Sequence, residues 1–286
     1  MTQVSLKEIL TDAKERNYAI PCLFGGNPEM IIGQIMAAET EESPLILFYH
    51  ERLVPKLSVE SGIPLIVNAA RTAKVPVATI LDHGSDFKSI VRAIHYGVSS
   101  VMYDGSALPY EENLRRTREI VNIAHAVGVS VEAELGNVGG SAIEVGNADM
   151  PESIYTDPDM VVDFIAKTGA DALAISFGNQ HGLYPEKQKL DYERVKKIAA
   201  LVQIPLVMHG GSGLSDNEYQ KIVASGISKV NYYSAMARKA AENLREKVVK
   251  TGSALIFHDI SDWMIDFYYY ETQRLLGILG CAGQAR

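Results

Sequence analysis

Eight short runs rich in Val, Ile and Leu recur along the 286 residues: 18–23, 45–49, 75–81, 99–103, 129–134, 172–176, 204–208 and 227–231. Between them lie segments with helical spacing, such as Phe87, Ile90, Val91 and Ile94, or Val195, Ile198, Ala199 and Val202. Apolar residues at i, i+3, i+4 and i+7 describe one face of a helix. Strands that are apolar throughout, instead of alternating, are buried on both faces, as in a parallel sheet covered by helices. Eight strand–helix units in roughly 250 residues match an α/β TIM (β/α)8 barrel, expected here as one domain over 1–286. The main competitor is a doubly wound sheet. Its dinucleotide-binding form requires GxGxxG after the first strand, and the sequence reads PCLFGGNPEM there.

No Pro/Ser-rich linker or abrupt change in charge marks a domain boundary. The stretch 136–151, GNVGGSAIEVGNADMP, is the longest expected loop, and loops of that length in compact domains are commonly functional lids. Beyond Phe257 the tail carries Trp263, Phe267, Tyr268, Tyr269 and Tyr270. So aromatic a segment is expected as an additional C-terminal helix packed on the barrel or on a second subunit. With 27 Lys+Arg against 35 Asp+Glu the net charge is −8, which disfavours nucleic acid or an anionic membrane as partner. Cys22 and Cys281 form no CxxC, no apolar run reaches membrane length, and the N-terminal residues read as an amphipathic helix instead of a signal peptide. A cytoplasmic enzyme is expected.

Barrel chemistry sits at the C-terminal ends of the strands. There the sequence places Asp82-His83-Gly84, Asp104-Gly105-Ser106, Glu132 and Glu134, His209-Gly210-Gly211-Ser212-Gly213 and Asn231, with His181-Gly182 shortly after the sixth run. Three imidazoles on one mouth can hold zinc and leave a coordination position open. His95 and His125 fall within helical patterns, and His50 and His258 have no assigned place. The three glycines around Ser212 either admit an anion to backbone N–H groups or simply make a turn. Asp82 either transfers a proton beside His83 or orients an imidazole.

Together these residues resemble the class II, metal-dependent fructose- and tagatose-bisphosphate aldolase family. The resemblance is carried by ILDHG, MYDGS, VEAELGNVGG, DALAISFGNQHGLY, PLVMHGGSG, GISKVN and GCAGQA, in order over nearly the whole chain. It implies that His83, His181 and His209 bind a divalent transition metal, usually zinc, with Glu134 and Asp104 close to it and a monovalent cation as a further cofactor. It implies that Asp82 moves the proton on the aldehyde oxygen. Gly182, Gly210, Gly211, Ser212 and Ser234 would hold the phosphate end of the ketose, and Asn231 would contact its carbon skeleton. The expected reaction is reversible cleavage of a phosphorylated ketose to dihydroxyacetone phosphate and an aldehyde, through a metal-stabilised enediolate, in a homodimer or homotetramer.

Three departures touch the substrate contacts. The family's mobile-loop glutamate is replaced by Ala142, and Glu144, two residues on, is the expected base. The family's NVDTD or NVATE becomes Asn231-Tyr232-Tyr233-Ser234-Ala235, and its FNVNN becomes FGGNP. Two other readings follow from them: a metal-binding, catalytically silent sugar-phosphate sensor or subunit, and a metal enzyme that enolises without breaking a carbon–carbon bond.

Overall fold

The computed structural model describes residues 2–84, 86–140, 154–183, 188–252 and 255–285. Strands β1 (Ile20–Phe24), β2 (Leu45–Tyr49), β3 (Val77–Gly84), β4 (Ser100–Tyr103), β5 (Ser130–Leu135), β7 (Ala172–Ile175), β9 (Leu206–Met208) and β10 (Ile227–Tyr232) close a parallel barrel in the order β1-β10-β9-β7-β5-β4-β3-β2. Each forms where an apolar run was expected, with ends displaced by at most three residues. Two further strands, β6 (Gly139–Gly140) and β8 (Gln180–His181), pair in parallel as a separate sheet, with Gly140 opposite His181. A two-residue strand has no periodicity to read, so this sheet was not foreseen.

The inner face of the barrel follows from register. Lys229 on β10 contacts Glu132 on β5, although two strands separate them in the barrel, so both side chains point inward. Pairing carries that face to Ile20 and Cys22 on β1, Ile46 and Phe48 on β2, and Ile80 on β3. Because side chains alternate along a strand, Phe24, Asp82, Glu134 and Asn231 extend the same face to the C-terminal mouth.

The helices cover the outside. Helix α1 (Leu6–Glu15) opens with the Ser5 side chain accepting a hydrogen bond from the Glu8 backbone N–H at 3.1 Å, which satisfies one of the free donors of a helix start. Helix α10 (Phe257–Leu279) packs against α2 (Pro28–Thr40), burying Leu275, Leu276 and Leu279. Gly33 permits the approach: a Cβ there would lie 2.4 Å from the Ile265 carbonyl oxygen. The aromatic tail is thus a helix docked on its own barrel. Among the described residues, no helix is long and apolar enough to cross a membrane.

Candidate metal centre and active site

Adjacent residues of an extended strand point to opposite faces, yet Asp82 and His83 both serve the mouth. The backbone explains this. His83 adopts φ +47°, and the β3–β4 register shifts between Leu81 and Gly84. A left-handed conformation at a residue other than glycine costs on the order of 1 kcal/mol and persists where the surroundings impose it. Here it turns the imidazole back over the barrel.

His83, His181 and His209 each offer a ring nitrogen within 4.8 Å of the others. They come from β3, β8 and the residue after β9, so the small β6–β8 sheet is what carries His181 to the group. His83 Nε2 stands 3.0 Å from His209 Nδ1, and His181 Nε2 is buried with no hydrogen-bond partner. The far nitrogens are engaged: His83 Nδ1 lies 3.1 Å from Asp104 Oδ2, and His209 Nε2 lies 2.8 Å from Glu132 Oε1. Carboxylates behind imidazoles are the usual support of metal-binding histidines, since they fix ring orientation and tautomer. A second group, His83, Asp104 and Glu134, meets the same 4.8 Å limit.

Glu132 is itself held. Both of its oxygens accept from Lys229 Nζ, at 3.0 and 2.7 Å, and Lys229, Glu132 and His209 are fully buried. With the carboxylate so committed, His209 carries its proton on Nε2 and presents the Nδ1 lone pair to the other histidines. Neither Lys229 nor Glu132 was assigned a role from sequence. A lysine inside the apolar run ISKVNY was the available signal.

The donor set fits a divalent transition metal. Each of the two groups, which share His83, holds one buried atom without a hydrogen-bond partner, His181 Nε2 in the first and Glu134 Oε2 in the second, and such orphans are costly unless something satisfies them. The field also favours a cation. Burial works against protonation of His83, but Asp82, Asp104 and Glu134 outweigh it and raise its pKa to about 9. Burial and then Asp104 push Glu134 up to about 8. Burial, followed by the charge of His83, lowers His181 to about 4 and His209 well below its ordinary value. Burial opposes ionisation of Asp82, yet His83, His209 and Lys229 hold it below the usual carboxylate range. Asn231 Nδ2 donates to Asp82 Oδ1 at 3.1 Å and leaves its own Oδ1 unpartnered.

Beside this group lies the glycine-serine turn. Gly210 has φ +63°, and a Cβ there would sit 2.1 Å from the Gln180 carbonyl oxygen, so only glycine fits. Ser212 Oγ accepts from the backbone N–H groups of Tyr233 at 3.4 Å and Ala235 at 3.2 Å. That arrangement leaves the hydroxyl proton available to an anion. Ser234 begins α9 (Ser234–Thr251), whose N-terminal N–H groups face the same turn, and Gly182, with φ +97°, follows His181.

All the expected site residues therefore meet at one mouth except Glu144, which, like Ala142, lies outside the described residues. Asn27, the remaining asparagine of FGGNP, caps α2 by accepting from the Met30 N–H at 2.9 Å. His125 pairs with Asp171 at 2.7 Å on the outside of the barrel, in keeping with a packing role.

Comparison with known proteins places this architecture. The family model described as fructose-bisphosphate aldolase class-II matches residues 4–284. Escherichia coli K12 YdjI, called an uncharacterized protein, is 39% identical over 235 residues, covering 82% of this chain and 84% of its own. A fructose-bisphosphate aldolase of Geobacillus stearothermophilus is 38% identical over 256 residues, 87% of each chain. The crystal structure of the YdjI aldolase superposes with a TM-score of 0.87 at 33% identity, covering 99% of this chain and 100% of that one.

Proposed function

The chain belongs to the class II fructose-bisphosphate aldolase family, and from that premise we propose that it is a metal-dependent lyase that reversibly cleaves a phosphorylated ketose to dihydroxyacetone phosphate and an aldehyde. The observation that carries this reading is the three-histidine group, half-buried at His83 and His181 and buried at His209, with its partnerless His181 Nε2. His83 and His181 through Nε2, and His209 through Nδ1, would hold zinc or another divalent transition metal. Such an ion supplies Lewis-acid stabilisation of the negative charge that develops on the ketose oxygens when the carbon–carbon bond breaks.

The protein's own groups do the rest. The Gly210, Gly211 and Ser212 turn, with Gly182, Ser234 and the start of α9, binds the phosphate end and fixes the three-carbon donor half. Asp82, kept ionised by the surrounding cations and positioned by Asn231, accepts the proton of the C4 hydroxyl as the C3–C4 bond breaks. The same proton returns to the aldehyde oxygen in condensation. Asp104 behind His83, and Lys229–Glu132 behind His209, keep the imidazoles oriented. The carboxylate of Glu144 would return a proton to C3 of the donor half.

Two measurements on one preparation test this. Metal content should be about one divalent ion per chain, and chelation should stop both the release of triose phosphate from ketose phosphates and the exchange of deuterium from heavy water into dihydroxyacetone phosphate. Bound metal without exchange would favour a silent sugar-phosphate binder, as the Ala142 departure allows. Exchange without any cleavage or condensation would favour enolisation alone. Glu144→Ala should abolish exchange, and survival at the normal rate would remove Glu144 from the role of base.

A further inference from the structure

Going round the barrel, the ends of β9 and β10 carry the phosphate turn, and β3, β8 and β9 carry the histidines. In the proposed reaction the donor half lies against these ends. Asp82 faces the bond to be broken from β3, so the aldehyde half extends over the remaining arc, the ends of β2 and β1 up to the end of β10. The inward face of that arc is aromatic. Phe24 ends β1 and Phe48 lies opposite it on β2, with ring centroids 5.3 Å apart. Tyr233, one residue beyond β10, stands edge-on to both, at 5.1 Å from Phe24 and 6.5 Å from Phe48. The two phenylalanines are buried, so they act as the bed, and the half-buried Tyr233 presents the surface.

His50 completes the arc one residue beyond β2, its ring 5.6 Å from that of His83. Its Nδ1 accepts from the Arg52 backbone N–H at 3.2 Å. The ring proton therefore sits on Nε2, where it can be donated to an oxygen of the substrate. The Arg52 side chain itself is exposed. The half-buried Tyr233 ring on its aromatic bed and one imidazole donor suit the C–H faces and hydroxyls of a sugar chain. They are poorly suited to a phosphate dianion, which would lose hydration against ring surface with no buried Lys or Arg at these strand ends among the described residues.

We propose that Tyr233, bedded on Phe24 and Phe48, forms with His50 the subsite for the aldehyde half, and that it accepts an unphosphorylated hydroxyaldehyde, so that the ketose cleaved is a 1-phosphate and not a bisphosphate. This rests on the aldolase reading above and specifies its substrate class.

The metal-loaded full-length chain is assayed in the condensation direction, with dihydroxyacetone phosphate and either glyceraldehyde 3-phosphate or a series of unphosphorylated hydroxyaldehydes of two to six carbons. At least one unphosphorylated aldehyde should give a kcat/KM tenfold or more above that of glyceraldehyde 3-phosphate. Tyr233→Ala should narrow this preference to less than threefold, Tyr233→Phe should keep it, and His50→Ala should raise KM for the hydroxyaldehyde more than it lowers kcat. Equal or better use of glyceraldehyde 3-phosphate by the unaltered chain overturns the subsite, as does a preference that survives Tyr233→Ala. Deuterium exchange into dihydroxyacetone phosphate separates the two levels. If exchange proceeds and the phosphorylated aldehyde wins, the subsite assignment alone fails; if no aldehyde is accepted, or exchange is also absent, the aldolase reading fails with it.

Discussion

The two arcs of the barrel mouth are built on opposite principles. On the β3, β4, β5, β8 and β9 side, polar groups are held by other polar groups, one of them reaching across from β10: Lys229 holds Glu132, Glu132 holds His209, and Asp104 holds His83. On the β1, β2 and β10 side, Phe24, Phe48 and Tyr233 hold one another by shape. Two of the three departures read in the sequence, FGGNP and Tyr232-Tyr233-Ser234-Ala235, fall on the second arc. The difference has a physical basis. Coordination and proton transfer tolerate displacements of only a fraction of an ångström, so altering one member of the hydrogen-bonded set strands a buried partner. Aromatic packing can be exchanged for another packing without leaving a charge unpaired. Substrate choice can thus change on one arc while the reaction is retained on the other.

The contrast is broken most severely by removing a ligand candidate. His209→Ala should reduce metal content from about one ion per chain to none after dialysis, and lower turnover on the order of 10³-fold, since Lewis-acid stabilisation is worth several kcal/mol. Stoichiometric metal in that variant would refute the three-histidine site. Asp82→Asn should lower cleavage on the order of 10²- to 10⁴-fold. Deuterium exchange into dihydroxyacetone phosphate should fall far less, because no aldehyde oxygen takes part in it; equal losses would make Asp82 a support of the metal group instead.

The depth of the polar arc is probed next. Removing Glu132 alone leaves the Lys229 ammonium buried without a partner, so the informative variant is Glu132→Gln with Lys229→Met, which deletes both charges. Its metal affinity, measured by chelator competition, should weaken on the order of 10- to 100-fold while the protein stays folded. Unaltered affinity would reduce the pair to a structural role.

The smallest effect is on the stability of the metal-free chain. His83 is raised from 6.5 to about 9 in the folded state, so the folded chain binds more protons than the unfolded one between those values. Its stabilising contribution is complete below pH 6.5 and lost as pH rises through 9, by at most about 3 kcal/mol. Thermal melting of chelated protein should therefore decline by several degrees across that window, and His83→Asn should flatten the decline. A slope that His83→Asn leaves untouched would place the responsible group elsewhere.

Much of this was legible in the chain. Strands buried on both faces have to be apolar throughout, so eight such runs announced the barrel, and the residue types ending them announced which polar groups gather at its mouth. The Asp82-His83-Gly84, His181-Gly182 and His209-Gly210-Gly211 pairings identified their own positions. Less legible was anything that depends on a partner distant in sequence. Lys229 and Glu132 are 97 positions apart, and nothing local joins them. The β6–β8 pairing that seats His181 is too short for a pattern, and His50 acquires a direction only through the Arg52 backbone and the neighbouring His83 ring.

The division follows from the range of the interactions. Periodicity, capping and turn chemistry act over a few residues, so the linear order of amino acids was enough for the class of fold, the strand positions and the candidate ligands. The tautomer of His209, the left-handed turn that brings His83 beside Asp82, and the bedding of Tyr233 on Phe24 and Phe48 arise from contacts that exist only once the barrel has closed. Closure brings strands from both ends of the chain into hydrogen-bonding register, with β1 beside β10. It is that long-range pairing, absent from any local window of sequence, that turned a set of histidines, carboxylates and rings into two arcs of one mouth.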